Sequence, residues 1–189
     1  MRLDDLLSLP ADLPVPLDDG ACDHLVGRSI PPISLPATDG STVRLDAPDV
    51  GRTVVFAYPL TGRPDAEFPG GLAAWDTIPG ARGCTPQVCA YRDRHAELVA
   101  SGVRVFGLST QDPAYQLEMA ERLHLPFPIL SDERLELQRA LESPTFEHAG
   151  LTLFKRHTLV IRDARIEHVF YPVFPSDRDA EQVLGWLRG

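Results

Sequence analysis

Thr53-Val54-Val55-Phe56-Ala57-Tyr58-Pro59 is an apolar run that does not alternate with polar residues and is stopped by a proline. A strand with one wet face alternates. A run without alternation predicts a central strand covered on both faces. Downstream, Val103-Arg104-Val105-Phe106-Gly107-Leu108 predicts a second strand, and 112–124 a helix with Asp112 as N-cap and Pro113 in its first turn. Residues 127–130 read as a strand and 133–141 as a helix. Thr158-Leu159-Val160-Ile161 and Ile166-Glu167-His168-Val169-Phe170 read as a hairpin, and 180–187 as a closing helix. Upstream, Ile33-Ser34-Leu35 and Thr42-Val43-Arg44-Leu45 flank the turn signal Asp39-Gly40, which predicts another hairpin. Strands alternating with helices, with a hairpin at each end, give a mixed-sheet α/β domain.

The chain has 189 residues, 43% of them apolar, enough for one core and short for two. Residues 26–189 read as that single domain. Residues 1–25 read as an N-terminal extension in which Leu3, Leu6, Leu7 and Leu9 form a short amphipathic turn before Pro10, Pro14 and Pro16. A net charge of −9 argues against nucleic acid and anionic membrane as partners, since both would be repelled. No apolar run approaches the roughly 18 residues that span a bilayer. The first twenty residues lack the basic and apolar regions of a secretory signal, so the expected location is the cytoplasm. Lys155 is the only lysine, which confines Schiff-base chemistry to that position. Three cysteines are too few, and of the wrong parity, for an extracellular disulfide scaffold.

The chemistry concentrates in Ile78-Pro79-Gly80-Ala81-Arg82-Gly83-Cys84-Thr85-Pro86-Gln87-Val88-Cys89, which leads into a helical segment over 85–101. Pro86 is tolerated only in the first turn of a helix, so Cys84 sits at the N-terminus. There the unpaired amides and the positive end of the helix dipole favour a thiolate over a thiol. Gly83 permits close backbone approach and Arg82 adds positive charge. Cys84 is therefore the candidate nucleophile.

Cys89 follows five residues later. In an intact helix such a pair has Cα atoms roughly 8.7 Å apart, beyond the about 7 Å a disulfide tolerates. If the two pair, the first turn must unwind, and oxidation is coupled to local opening. Two plainer readings stand beside this one: a metal site, for which no second ligand pair is present, and two inert buried cysteines. Cys22 has no helix N-terminus and reads as non-catalytic.

Gly83-Cys84-Thr85, Cys89 and Tyr91-Arg92-Asp93 together resemble the active-site helix of the peroxiredoxins, specifically the Q subfamily, the bacterioferritin comigratory proteins. The resemblance extends to the opening hairpin, Tyr58-Pro59, Phe106-Gly107-Leu108-Ser109-Thr110, Ile129-Leu130-Ser131-Asp132 and Arg156-His157-Thr158. It implies a thioredoxin-like fold and reduction of hydrogen peroxide and organic hydroperoxides by an atypical two-cysteine mechanism. Cys84 would be peroxidatic, Cys89 resolving and Arg156 the active-site arginine, with Gly83 and Gln87 in the substrate site. A thioredoxin-type dithiol would reset the enzyme, with no cofactor or metal, and the chain would act as a monomer.

Three features depart from the family pattern, one being Gln87, which stands where an acidic residue is common and keeps hydrogen bonding but loses a charge. Ala81 stands where the family has a threonine, which leaves Thr77 and Thr61 as candidates for the missing hydroxyl. Tyr58-Pro59 is separated from Cys84 by an insertion over about 61–79 that contains Trp75 and must fold over or beside the site. These changes bear on rate and peroxide preference rather than on reaction class. The rival readings are a slow thiol-disulfide reductase, disfavoured by the absence of a Cys-x-x-Cys motif, and a non-catalytic thioredoxin-like peroxide sensor or redox relay.

Overall fold

The computed structural model describes residues 6–47, 51–64 and 66–189. In chain order the elements are β1 (Ser34–Pro36), β2 (Thr42–Arg44), β3 (Arg52–Ala57), α1 (Leu72–Asp76), α2 (Cys84–Asp93), α3 (His95–Ala100) and β4 (Val103–Ser109). They continue with α4 (Pro113–Arg122), β5 (Ile129–Ser131), α5 (Glu136–Leu141), β6 (Thr145–His148), β7 (Leu151–Phe154), β8 (His157–Arg162), β9 (Arg165–Phe170) and α6 (Asp179–Arg188).

The main sheet has five strands in the order β5-β4-β3-β8-β9. β3 is central, parallel to β4 and antiparallel to β8. Its run is buried because each face is covered by a different layer. Val54, Phe56 and Tyr58 point to one side, where Cys84, Val88, Tyr91, Met119 and Val183 pack. Val55 and Ala57 point to the other, against Leu25, Leu35, Leu108, Leu137 and Leu159. The period of two along a strand makes this division. The fold is the expected mixed-sheet α/β arrangement of thioredoxin-like type.

Local chemistry moved several expected boundaries. Asp112 caps α4 by accepting from Tyr115 N at 2.8 Å, as expected. β5 starts at Ile129 because Pro126 and Pro128 cannot donate to a ladder. α5 starts at Glu136, where the Asp132 carboxylate accepts from the amides of Leu137 and Gln138 at 3.0 and 2.7 Å. The expected helix over 85–101 is two helices, broken at Arg94 (φ −104°, ψ 8°), with no glycine or proline there to signal it. The β8–β9 hairpin turns through Asp163 and Ala164, both at positive φ, the conformation of a two-residue I′ turn. The opening hairpin β1–β2 is a separate two-stranded sheet, joined to the main one by a bridge between Ala37 and Leu130.

Neither β6–β7 nor α1 was expected from local patterns, and these two pack on each other. Trp75, Leu60, Ala81 and Leu153 form a small core of their own with Phe68, Leu72, Ile78 and Phe146 against it. The insertion is thus seated on the β6–β7 hairpin beside the start of α2. From the extension, Cys22 and Leu25 are buried in the main core, and Leu6 is buried as well. Leu3 lies outside the described residues.

Candidate active site

α2 starts at Cys84, with Gly83 as its N-cap at φ 101°. A side chain at Gly83 would place its Cβ 2.1 Å from Ser176 Oγ and 2.6 Å from Leu9 Cδ2, so only glycine fits. Ser176 Oγ donates to Gly83 O at 2.9 Å, which pins the cap from the 3₁₀ turn preceding α6. Cys84 is 4% exposed, and its Sγ lies 3.6 Å from Ala81 O.

Arg156 arrives from the link between β7 and β8 and is also 4% exposed. Its Nε donates to Gly80 O at 3.2 Å, and its Nη2 to Ala81 O at 3.0 Å and Arg82 O at 3.3 Å. The same Nη2 is 3.2 Å from Cys84 Sγ. Three main-chain carbonyls therefore orient a guanidinium that cannot lose its charge and set it against the sulfur. Gln87 completes the frame: its Oε1 accepts from Arg156 Nη1, and its Nε2 donates to Asp179 Oδ2 at 2.6 Å.

Asp179 is fully buried at the start of α6, and sequence reasoning missed it. Its Oδ2 also accepts from Tyr91 Oη at 3.0 Å and Thr158 Oγ1 at 2.7 Å, while its Oδ1 has no partner. Burial pushes its carboxyl up, and the three donors pull it partly back. In a sequence, an aspartate in a first helical turn reads as a dipole partner at the surface, so nothing marked it.

The other expected residues are placed as follows. Thr77 is exposed and donates its hydroxyl to Ala74 O at 2.7 Å. Thr61 is buried, but its hydroxyl donates to Gln111 Oε1 at 2.9 Å. Neither hydroxyl makes a hydrogen bond to Cys84 or to Arg156 in this structure. Cys89 is half-buried on the same helix, and burial pushes its thiol up. Both cysteines are free thiols. Burial and the neighbouring acidic residues push Cys22 up to about 12, far from reactivity at neutral pH. Lys155 pairs with Asp19 at 2.5 Å. Among the described residues, no cluster of His, Cys, Asp and Glu could hold a metal ion. No helix among them is long and apolar enough to cross a membrane.

A thioredoxin-like sheet that presents a buried cysteine at a helix start, under a buried arginine, defines a thiol-redox domain. The Redoxin family profile matches residues 25–184. The chain is 31% identical over 170 residues to Peroxiredoxin Bcp of Escherichia coli K12, covering 86% of this chain and 94% of that protein. It is 28% identical over 189 residues to the chloroplastic Peroxiredoxin Q of Gentiana triflora, covering 97% and 78% respectively. Peroxidoxin BcpB of Mycobacterium tuberculosis superposes with a TM-score of 0.69 at 26% identity, covering 87% of this chain and 97% of that one. Xanthomonas campestris peroxiredoxin Q shares the fold, with a TM-score of 0.65 at 18% identity over 94% of this chain and 98% of that one. The chain belongs to the Redoxin family, within it to the peroxiredoxins of the Bcp and Q kind.

Proposed function

We propose that the chain reduces hydrogen peroxide and organic hydroperoxides, with Cys84 as the attacking sulfur, Cys89 as the resolving thiol and Arg156 as the group that holds both sulfur and peroxide. The observation that carries this reading is the buried guanidinium 3.2 Å from Cys84 Sγ at the start of α2. The Cys84 thiolate attacks one peroxide oxygen and the O–O bond breaks. The sulfur is oxidised to a sulfenic acid, and the other oxygen leaves, after protonation, as water or an alcohol. Charge developing on the departing oxygen meets donors already in place, which is where preorganised electrostatics act most strongly. Cys89 sulfur then attacks the sulfenic sulfur, water departs, and a disulfide forms. An external thioredoxin-type dithiol reduces it by exchange, becoming oxidised itself.

Cys84 and Cys89 both lie in the unbroken helix α2, so the second step requires its first turn to open. Gly83 and Gln87 act as frame: one seats the cap, the other ties Arg156 to Asp179. The reading takes the enzyme as a cytoplasmic monomer that uses neither cofactor nor metal and binds neither nucleic acid nor membrane.

The test is peroxide consumption coupled to thioredoxin, thioredoxin reductase and NADPH. Wild type should turn over, Cys84→Ser should be inactive, and Cys89→Ser should react once and fail to recycle. A wild type that forms its disulfide with peroxide yet does not turn over with any dithiol would overturn the enzyme in favour of a peroxide-sensing relay.

A further inference from the structure

The space in front of Cys84 is small, and one wall comes from outside the sheet domain. The cavity offers about 20 Å³ of room for the centres of water-sized molecules, and its lining includes Leu6, Phe68, Leu72, Trp75 and Cys84. A single water needs about 10–15 Å³ by that measure, so with Leu6 seated the space beside Cys84 holds little more than one small molecule. Phe68, Leu72 and Trp75 are fixed by the small core on β6–β7, with Phe68 and Trp75 in ring contact at 5.1 Å. Leu6 is different: it comes from the N-terminal extension and is only 7% exposed. The following Leu9 rests on the Gly83 backbone, so the extension tracks across the mouth of the site.

We infer that Leu6 is a specificity-determining residue that sizes the Cys84 cavity for hydrogen peroxide and holds bulky hydroperoxides out. This deepens the peroxidase reading and rests on it. Leu6 is retained by apolar burial, which for one leucine favours the seated over the lifted position by about 10- to 100-fold. A hydroperoxide that requires the lifted position is slowed by that same factor, because only the competent fraction reacts. Hydrogen peroxide uses the seated form and bears no such penalty.

The test measures the rate of Cys84 oxidation on rapid mixing with hydrogen peroxide and with cumene hydroperoxide. It compares wild type, Leu6→Ala, a chain lacking residues 2–9, and Leu7→Ala, which alters the exposed neighbour on the same turn. A second readout needs no peroxide: alkylation of Cys84 by iodoacetamide and by a pyrenyl maleimide, followed at the Cys84 peptide by mass spectrometry. Leu6→Ala and the truncation should speed the bulky reagent of each pair by at least about tenfold and the small one by less than about threefold. Leu7→Ala should change neither. A bulky-to-small ratio unchanged in Leu6→Ala overturns the inference, and a change seen only in the truncated chain assigns the filter to another residue of the extension. If no form reacts with peroxide yet alkylation shows the size filter, the peroxidase reading fails and the role of Leu6 in sizing the cavity survives.

Discussion

Arg156 Nη2 stands 3.2 Å from Cys84 Sγ although 72 residues separate them in the chain. The contact is set by carbonyls rather than by the sulfur, since Gly80, Ala81 and Arg82 all accept from the same guanidinium. Arg156→Lys keeps a charge but loses the fork that reaches several acceptors at once. The rate of Cys84 oxidation should fall by about 10²- to 10³-fold, the usual cost of one preorganised donor. Rapid-mixing kinetics measures this, with thermal unfolding as the check that the fold survives.

A disulfide between Cys84 and Cys89 is incompatible with the helix that contains both. Oxidation should therefore abolish amide protection over 84–91, while the sheet amides of β3 and β4 stay protected. Hydrogen exchange on reduced and peroxide-treated protein reads this directly. Equal protection in the two forms would mean that Cys84 is resolved by some other thiol.

Asp179 anchors the frame from behind. Asp179→Ala leaves the donors of Gln87, Tyr91 and Thr158 without their acceptor in a buried place. Stranded buried donors cost about 1–3 kcal/mol each, so unfolding by urea should show a loss of at least about 3 kcal/mol. Asp179→Asn keeps one acceptor oxygen and should lose less. Because Gln87 also holds Arg156, both variants should slow Cys84 oxidation in the same order as they lose stability.

His157 supplies a pH prediction. Burial lowers its pKa from 6.5 to about 4, with Nδ1 held by Lys155 O at 2.8 Å. The unfolded chain binds more protons between these two values, so the contribution of His157 is complete above 6.5 and is lost as pH falls toward 4. At about 1.4 kcal/mol per pH unit, that amounts to about 3 kcal/mol. Asp179, raised by its own burial, works in the opposite direction over acidic pH. The difference between wild type and His157→Gln isolates the histidine: urea midpoints should converge as pH drops from 7 to 4.

The apolar run 53–58 made the central strand legible because a strand covered on both faces cannot hide its composition. Asp112-Pro113 and the Pro86 constraint were legible because capping and proline geometry are local. The break at Arg94, the β6–β7 hairpin and α1 were not. The hairpin and α1 arise from packing between the insertion and β6–β7, a contact that local propensity does not report, and the break at Arg94 carries no glycine or proline to mark it.

The mixed α/β class, the position of Cys84 at a helix start and the five-residue spacing to Cys89 can all be read from the chain alone. Each follows from interactions within a few residues of the chain. Only packing between distant segments set the hydroxyl of Thr61 on Gln111, tied Gln87 to Asp179, and brought Leu6 to the cavity that Cys84 lines. Those depend on which buried donors find acceptors and which apolar surface is left to cover, and both are settled only when distant segments pack together.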